Sequence, residues 1–471
     1  MIRYYKKIYR LLKKFFINRF YFFYCSINIL KNIIMVTKTI KSYNREIVFI
    51  CGDILAYDKG VINYLNNINK IISNHGYCIV LISEADYQCK KECEGRIKFP
   101  VINVPQIFIK NYYKAKFAPY IPKFVKRVVS KTDYLEWSVD NLILRHADMS
   151  KSYATMFSYF AQLYYLQLIR RCNPVGLIIW NQFHALHNIL NNVVKEMGLS
   201  VFYMEFGCLP GTFSIESHGQ MGESFPAINY KEFLLKPITL DEIDHARSIW
   251  KFLKSSKLNR NKQRTEETTK KIIENIDKSR PVVFVAGQND FESGLCPYTK
   301  NTEKKHSPIF KNSDEAISYI ADLGKKNQWT VIYKPHPIIR MLASPMALPP
   351  ENVITIEDID INEIVDFADV TVTILSQTGY ISLIREKPTV MLGYTQLRGK
   401  SCTYEAFKKE DIEEQIKEAL TSGFTIGQKA AFSVHIAQLI KYYLYDDMLE
   451  RQVRYGKSVE DAVDFILMKK S

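Results

Sequence analysis

The sequence predicts two doubly wound α/β domains in one chain of 471 residues. Three observations carry this prediction. Short apolar runs of strand length alternate with helical patterns twice along the chain, once over residues 46–204 and again from residue 282. Runs that are apolar on both faces belong to parallel strands covered by helices on either side. The length suits two or three domains of ordinary size. A hydrophobic fraction of 47% with 24% charged residues excludes wholesale disorder and collagen-like fibre.

Taken in order, residues 46–53 read as a buried strand ending in a turn, 61–72 as a helix and 77–83 as a second strand. This β-α-β opening is that of a nucleotide-binding type of sheet. Residues 105–165 are aromatic-rich and mostly helical in pattern, broken by Pro119 and Pro122. Residues 175–180 are a strand, 185–197 a helix and 200–204 a strand. Polar helical sequence over 241–280 reads as the connection between domains. The second series has strands at 282–286, 329–334, 353–356, 370–375 and 389–392, with helices at 313–323, 362–367 and 379–385 between them. The expected domains are therefore 46–250, a connection 251–280, 281–425, and C-terminal helices over 426–471. A cleft between the strand ends of the two domains is the expected ligand site.

The net charge of +15 is unevenly placed: residues 1–45 hold eleven Lys/Arg and no Asp/Glu. The rest of the chain is nearly neutral, with 53 basic against 49 acidic residues, which argues against a nucleic-acid binder. Arg3, Lys6, Lys7, Arg10, Lys13 and Lys14 fall at helical spacing, with Tyr4, Tyr5, Ile8, Leu11, Leu12 and Phe15 opposite. An aromatic run interrupted by Arg19 follows, too broken by charge for a spanning helix and lacking the cleavage site of a signal peptide. Residues 1–45 are thus expected to lie on an anionic inner membrane surface as an amphipathic helix, giving a cytoplasmic, peripheral protein. The competing reading is a terminal helix docked on the body. Nine cysteines without a spaced framework read as reduced thiols, and neither Cys89/Cys93 nor Asp358/Asp360 forms a metal motif.

Four polar segments close strands, where such sheets bind ligands. Asn181 follows the strand at 175–180, and the later Glu205-Phe206-Gly207 presents a carboxylate before a Gly/Pro turn. Gln288-Asn289-Asp290 offers a nucleophile or base with an orienting amide; the alternative is turn chemistry, in which Asn and Asp cap their own backbone. Lys334-Pro335-His336-Pro337 holds an imidazole between two prolines beside a lysine, a pairing suited to one phosphate. Ser376-Gln377-Thr378-Gly379 turns a strand into a helix, where hydroxyls and backbone N–H groups either cap the helix or receive an anion.

In their order, these segments resemble the capsule polysaccharide biosynthesis family, whose members include bacterial β-Kdo transferases using CMP-Kdo. The resemblance spans roughly residues 175–400. It implies a GT-B type fold, two Rossmann-like domains facing a central cleft, with no metal or other cofactor. It further implies Asp290 as nucleophile, Glu205 handling the acceptor proton and Gln288 supporting them. Lys334, His336, Pro337, Ser376, Thr378 and Gly379 would bind the CMP-sugar, and Asn181 and Gly207 would lie on the acceptor side. Tyr380 and Ile381 depart from the small residue and Glu that family members often carry. The expected activity is transfer of Kdo from CMP-Kdo to a capsule or lipopolysaccharide glycan or glycolipid, with retention. An inverting CMP-sialic acid transferase and a non-catalytic membrane scaffold are the two other readings.

Overall fold

The computed structural model describes residues 2–52, 58–84, 96–108, 118–146, 148–258, 265–336, 349–447 and 453–468, with backbone only for 2–19 and 468. The chain forms two compact units, Met1–Tyr203 with Glu460–Ser471, and Met204–Val459. Strands β1 (Glu46–Cys51), β2 (Tyr77–Ser83), β3 (Val101–Asn103), β4 (Gly176–Trp180), β5 (Ser200–Phe206) and β6 (Thr212–Glu216) come first. Strands β7 (Val282–Ala286), β8 (Thr330–Lys334), β9 (Val353–Thr355), β10 (Val370–Thr373), β11 (Thr389–Met391), β12 (Tyr404–Glu405) and β13 (Leu444–Asp446) follow.

The first sheet runs β13-β6-β5-β4-β1-β2-β3 and the second β12-β11-β10-β7-β8-β9. Counted from its own first strand, each contains the order 3-2-1-4-5-6 of a doubly wound Rossmann sheet. In the second sheet every pairing is parallel. In the first, β1–β2, β1–β4 and β2–β3 are parallel, and β13 adds antiparallel to β6. The α/β class with two Rossmann-type sheets is therefore the fold the sequence predicts. Asp360 accepts from the Asn362 N–H at 2.7 Å and caps helix Ile361–Phe367, so the Asp358/Asp360 pair is turn chemistry.

The break between units differs from the expected connection at 251–280. Helix Leu240–Ser256 looks polar in sequence, yet Ala246, Ile249, Trp250 and Leu253 line one face and enter the second unit's core. Trp250 packs edge-on to Phe432 of helix Ile426–Tyr442 at 5.1 Å, and its Nε1 donates to the Ile384 carbonyl at 3.0 Å. Helix Val459–Met468 returns to the first unit, where Phe465 meets Phe202 at 5.7 Å. Among the described cysteines no disulfide forms, while Cys89 and Cys93 lie outside the described residues.

The basic N-terminus is one helix, Ile2–Lys41. From Phe20 onward it is not a separable tail. Cys25, Ile29, Ile33, Val36 and Ile40, one stripe at helical spacing, are buried in the first unit's core. Phe22 packs on Phe160 at 5.0 Å, Asn32 Nδ2 donates to the Asn103 carbonyl at 2.9 Å, and Tyr164 donates to Asn32 Oδ1 at 3.0 Å. The docked reading therefore holds from Phe20 onward. The opposite face leaves Phe20, Phe23, Leu30 and Met35 exposed by 69, 60, 52 and 57%. By length and composition Phe20–Lys41 is also apolar enough to cross a membrane, because the 18 residues from Phe20 to Thr37 hold one lysine and no other charge. The faces proposed for residues 3–15 lie outside the described side chains.

Within the second unit an acidic lock fixes the segment after β6. Glu223 pairs with Lys305 at 3.0 Å and His306 at 3.4 Å. Burial alone would raise the Glu223 carboxyl, but His306 and Lys305 outweigh it and hold it at about 2 against an ordinary 4.5. A carboxylate depressed by folding stabilises fully above its unfolded value and loses that contribution as pH falls toward its folded one. Urea denaturation from pH 6 down to pH 2 is expected to show about 3 kcal/mol of acid-sensitive stability in the wild type. In Glu223→Gln that increment should be missing, and equal acid loss in both proteins would contradict the lock.

Candidate functional site

A doubly wound sheet binds ligands beyond the carboxyl ends of its strands, where the strand order reverses. In the second sheet that point lies between β7 and β10. Register aligns the three strand ends: Ala286 pairs with Lys334 on one side and with Thr373 on the other. Gln288, His336 and Leu375 each leave two residues beyond this common level. Three segments scattered over some ninety residues are thus delivered to one edge.

Gln288 ties them together. Its Oε1 accepts from the Leu375 N–H at 2.7 Å, and its Nε2 donates to Asp290 Oδ1 at 3.1 Å and Ser293 Oγ at 3.3 Å. Asp290, half-buried, also accepts from the Ser313 hydroxyl at 2.6 Å and the Ser313 N–H at 2.9 Å. Burial pushes the Asp290 carboxyl up, Ser313 and Gln288 pull it down, and Asp314 raises it again; the net direction is upward. The carboxylate is oriented by three donors and anchored to the start of helix Ser313–Asn327. Asn289 Oδ1 accepts from the N–H groups of Phe291 and Glu292, so this residue serves the turn. Gly287 is required for close approach, since a Cβ there would lie 2.7 Å from the Lys334 carbonyl.

The loop after β10 exposes hydroxyls beside this carboxylate edge. Ser376 Oγ donates to Thr378 Oγ1 at 3.0 Å and accepts from the Thr378 N–H at 3.3 Å. Both residues are half-buried. Helix Thr378–Ile384, seven residues long, follows this loop. Gly379 is buried against Met391, Leu397 and Thr373, so its lack of a side chain serves packing. Tyr380 is core: its hydroxyl meets His435 Nε2 at 3.0 Å.

Gln377 Nε2 donates to the Phe206 carbonyl at 3.2 Å, which brings the end of β5 to the same loop. Glu205 and Phe206 are half-buried there. The β5–β6 turn needs Gly207, where a Cβ would fall 2.0 Å from Thr212 Oγ1, and Gly211 at φ 83°. Lys334 is placed differently from the expectation. Its buried Nζ donates to the Glu357 carbonyl at 2.6 Å, directing the ammonium toward the end of β9. His336 is half-buried just past β8, and Pro337 lies outside the described residues. Asn181 belongs to the first unit, at the end of β4, with φ 61° and its Oδ1 accepting from the Phe183 N–H at 3.0 Å.

No family model and no curated protein matches the chain. Solved structures similar to it include the Thermosulfurimonas dismutans KpsC β-Kdo 2,7 transferase, at 15% identity over 65% of this chain and 90% of that one, TM-score 0.39. A second is the β-Kdo 2,4 transferase of the same KpsC, at 14% identity over 56% and 79%, TM-score 0.40. A third is the UDP-GlcNAc 2-epimerase of Methanocaldococcus jannaschii, at 12% identity over 83% and 99%, TM-score 0.35. At these values the likenesses establish neither family nor activity.

Proposed function

We propose that this chain is a metal-independent glycosyltransferase that moves Kdo from CMP-Kdo to a capsule or lipopolysaccharide glycan or glycolipid. The observation that supports it is the junction made by Gln288, which joins the Asp290 turn to the Ser376–Thr378 loop at the switch point of the second sheet. A carboxylate, hydroxyls and an imidazole at one sheet edge suit a sugar carrying a single phosphate. In this reading His336, Ser376 and Thr378 bind the phosphate of CMP, with Pro337 and Gly379 shaping their loops. Lys334 holds the strand end from which His336 departs.

Asp290 attacks the anomeric carbon of the donor, and the bond to the CMP phosphate breaks with its electron pair leaving on the phosphate oxygen. The acceptor hydroxyl then attacks the same carbon, its proton passes to Glu205, and the Asp290 carboxylate is released. Two displacements restore the starting configuration. Asn181 and Gly207 are assigned to the acceptor side, and the protein is placed on the cytoplasmic face of an anionic membrane.

A second reading is supported by the three donors held on Asp290, which also describe a structural cap: an inverting transferase using CMP-sialic acid and no covalent step. The test is incubation of the full chain with a panel of CMP- and UDP-sugars, followed by NMR of the product. Transfer from CMP-Kdo with β-configured product is the expected result. Transfer from CMP-sialic acid with inversion would replace the reading, and no transfer from any donor would favour a scaffold.

A further inference from the structure

The first unit holds a cluster that no motif in the sequence announces. Glu84 follows β2, and His184 and His187 open helix Ala185–Glu196 just after β4. One donor atom from each lies within 4.8 Å of the other two. His187 Nε2 is 3.2 Å from Glu84 Oε1, and His184 Nδ1 is 3.5 Å from Glu84 Oε2. All three side chains are nearly enclosed, exposed by 8, 14 and 2% in chain order.

We propose that Glu84, His184 and His187 form a binding site for one divalent transition-metal ion of the zinc type. The decisive contact lies behind the cluster. His187 Nδ1 meets the Asn181 carbonyl at 2.9 Å, and a carbonyl only accepts, so Nδ1 carries the proton. In the neutral ring the Nε2 lone pair faces the Glu84 carboxylate 3.2 Å away, whereas a ring protonated at both nitrogens makes an ion pair with the same geometry. A cation between the neutral ring and the carboxylate is coordinated by both. Donation of the far ring nitrogen to a carbonyl is the usual outer-shell support of a metal-bound histidine. Asn181 adopts its left-handed φ of 61° at the point where its carbonyl is turned to this task.

The spacing fits. A tetrahedral zinc with bonds of about 2.0–2.1 Å has donor–donor edges of about 3.3–3.4 Å. The 3.2 and 3.5 Å contacts, each to a different oxygen of the Glu84 carboxylate, lie near that length, and one donor atom from each residue lies within 4.8 Å of the other two. Two imidazoles and one carboxylate favour zinc over magnesium or calcium, which prefer oxygen ligands. Among the described residues three ligands are found, the number that open zinc sites take from the protein. The ends of β2 and β4 flank β1, so the ion would lie at the switch point of the first sheet.

The inference concerns the first unit; it shares Asn181 with the transfer reading, but its test reads zinc and cobalt binding rather than transfer. The full chain, stripped with a chelator and dialysed, is titrated with Zn²⁺ against a chromogenic competitor, and in parallel with Co²⁺. One zinc per chain is expected, with tetrahedral cobalt absorption bands. Glu84→Gln keeps the shape of the side chain but not its charge; it and His184→Ala should each weaken zinc at least about 100-fold with an unchanged circular dichroism spectrum. A plain Glu84–histidine ion pair predicts the opposite: equal zinc affinity in wild type and both variants, and no tetrahedral cobalt bands. Either of those results overturns the site.

Discussion

Replacing Asp290 by Asn is expected to lower sugar transfer by about 1,000-fold or more while leaving the protein folded. Asparagine fills the same space, and its single Oδ1 keeps one of the two Ser313 bonds, since the Ser313 N–H and hydroxyl meet different carboxylate oxygens at 2.9 and 2.6 Å. What it cannot do is form the ester to the sugar. Initial-rate kinetics with saturating donor measures the loss, and calorimetry with CMP should show affinity largely kept. Ser313→Ala is the companion experiment. The Ser313 hydroxyl is among the groups that draw the Asp290 carboxyl down against burial. Removing it raises the carboxyl further, so the acid limb of the pH–rate profile should move to higher pH while the alkaline limb stays. Near-normal turnover in Asp290→Asn would reduce Asp290 to an anchor for helix Ser313–Asn327, and Glu205 would become the candidate nucleophile.

The pattern of what could be read beforehand follows from how far each signal reaches along the chain. Strands β1, β2, β4, β5, β7, β8 and β10 are apolar runs long enough to be seen locally, and each is buried along most of its length. Strands β3, β12 and β13 have three, two and three residues, and β6 sits in a hairpin whose turn residues dominate the pattern. Pairing order is non-local, so the switch point between β7 and β10 could be expected from the fold class but not located. Gln288 was visible as polar sequence after a strand. Its bond to Leu375, 87 positions away, was not.

The same logic explains two misplacements and one omission. Lys334 is the last residue of its strand, and alternation along β8 decides which neighbour its side chain reaches; adjacency to His336 in sequence does not. Glu84 stands 100 residues before His184, so only the i, i+3 pair of histidines at a helix start hinted at a cluster, and nothing supplied the acid. In helix Leu240–Ser256 the charged face outnumbers the buried one, which hid a core element behind a linker-like composition.

The other large effect is expected at the N-terminus, where two truncations should behave oppositely. Removing residues 1–34 takes Cys25, Ile29 and Ile33 out of the first unit's core, together with both hydrogen bonds of Asn32. Burial of an aliphatic side chain contributes roughly 1.5–3 kcal/mol, so the loss amounts to about 5 kcal/mol or more. That is comparable with the whole stability of an ordinary domain. The shorter protein should therefore unfold or aggregate, lacking a cooperative thermal transition for the first unit. Removing only residues 1–19 keeps every described core contact but deletes seven basic residues. The exposed Phe20, Phe23, Leu30 and Met35 still offer apolar surface to lipid. An interfacial helix binds by apolar burial and by attraction to anionic lipid together, and salt screens the second. In vesicle sedimentation the full chain should bind phosphatidylserine-containing vesicles more strongly than neutral ones, and less strongly as salt is raised. The chain lacking 1–19 should melt like the full protein and lose that anionic preference. A soluble, cooperatively melting protein without residues 1–34 would show the docked stripe to be dispensable. Undiminished anionic binding without residues 1–19 would move the membrane contact to the body of the first unit.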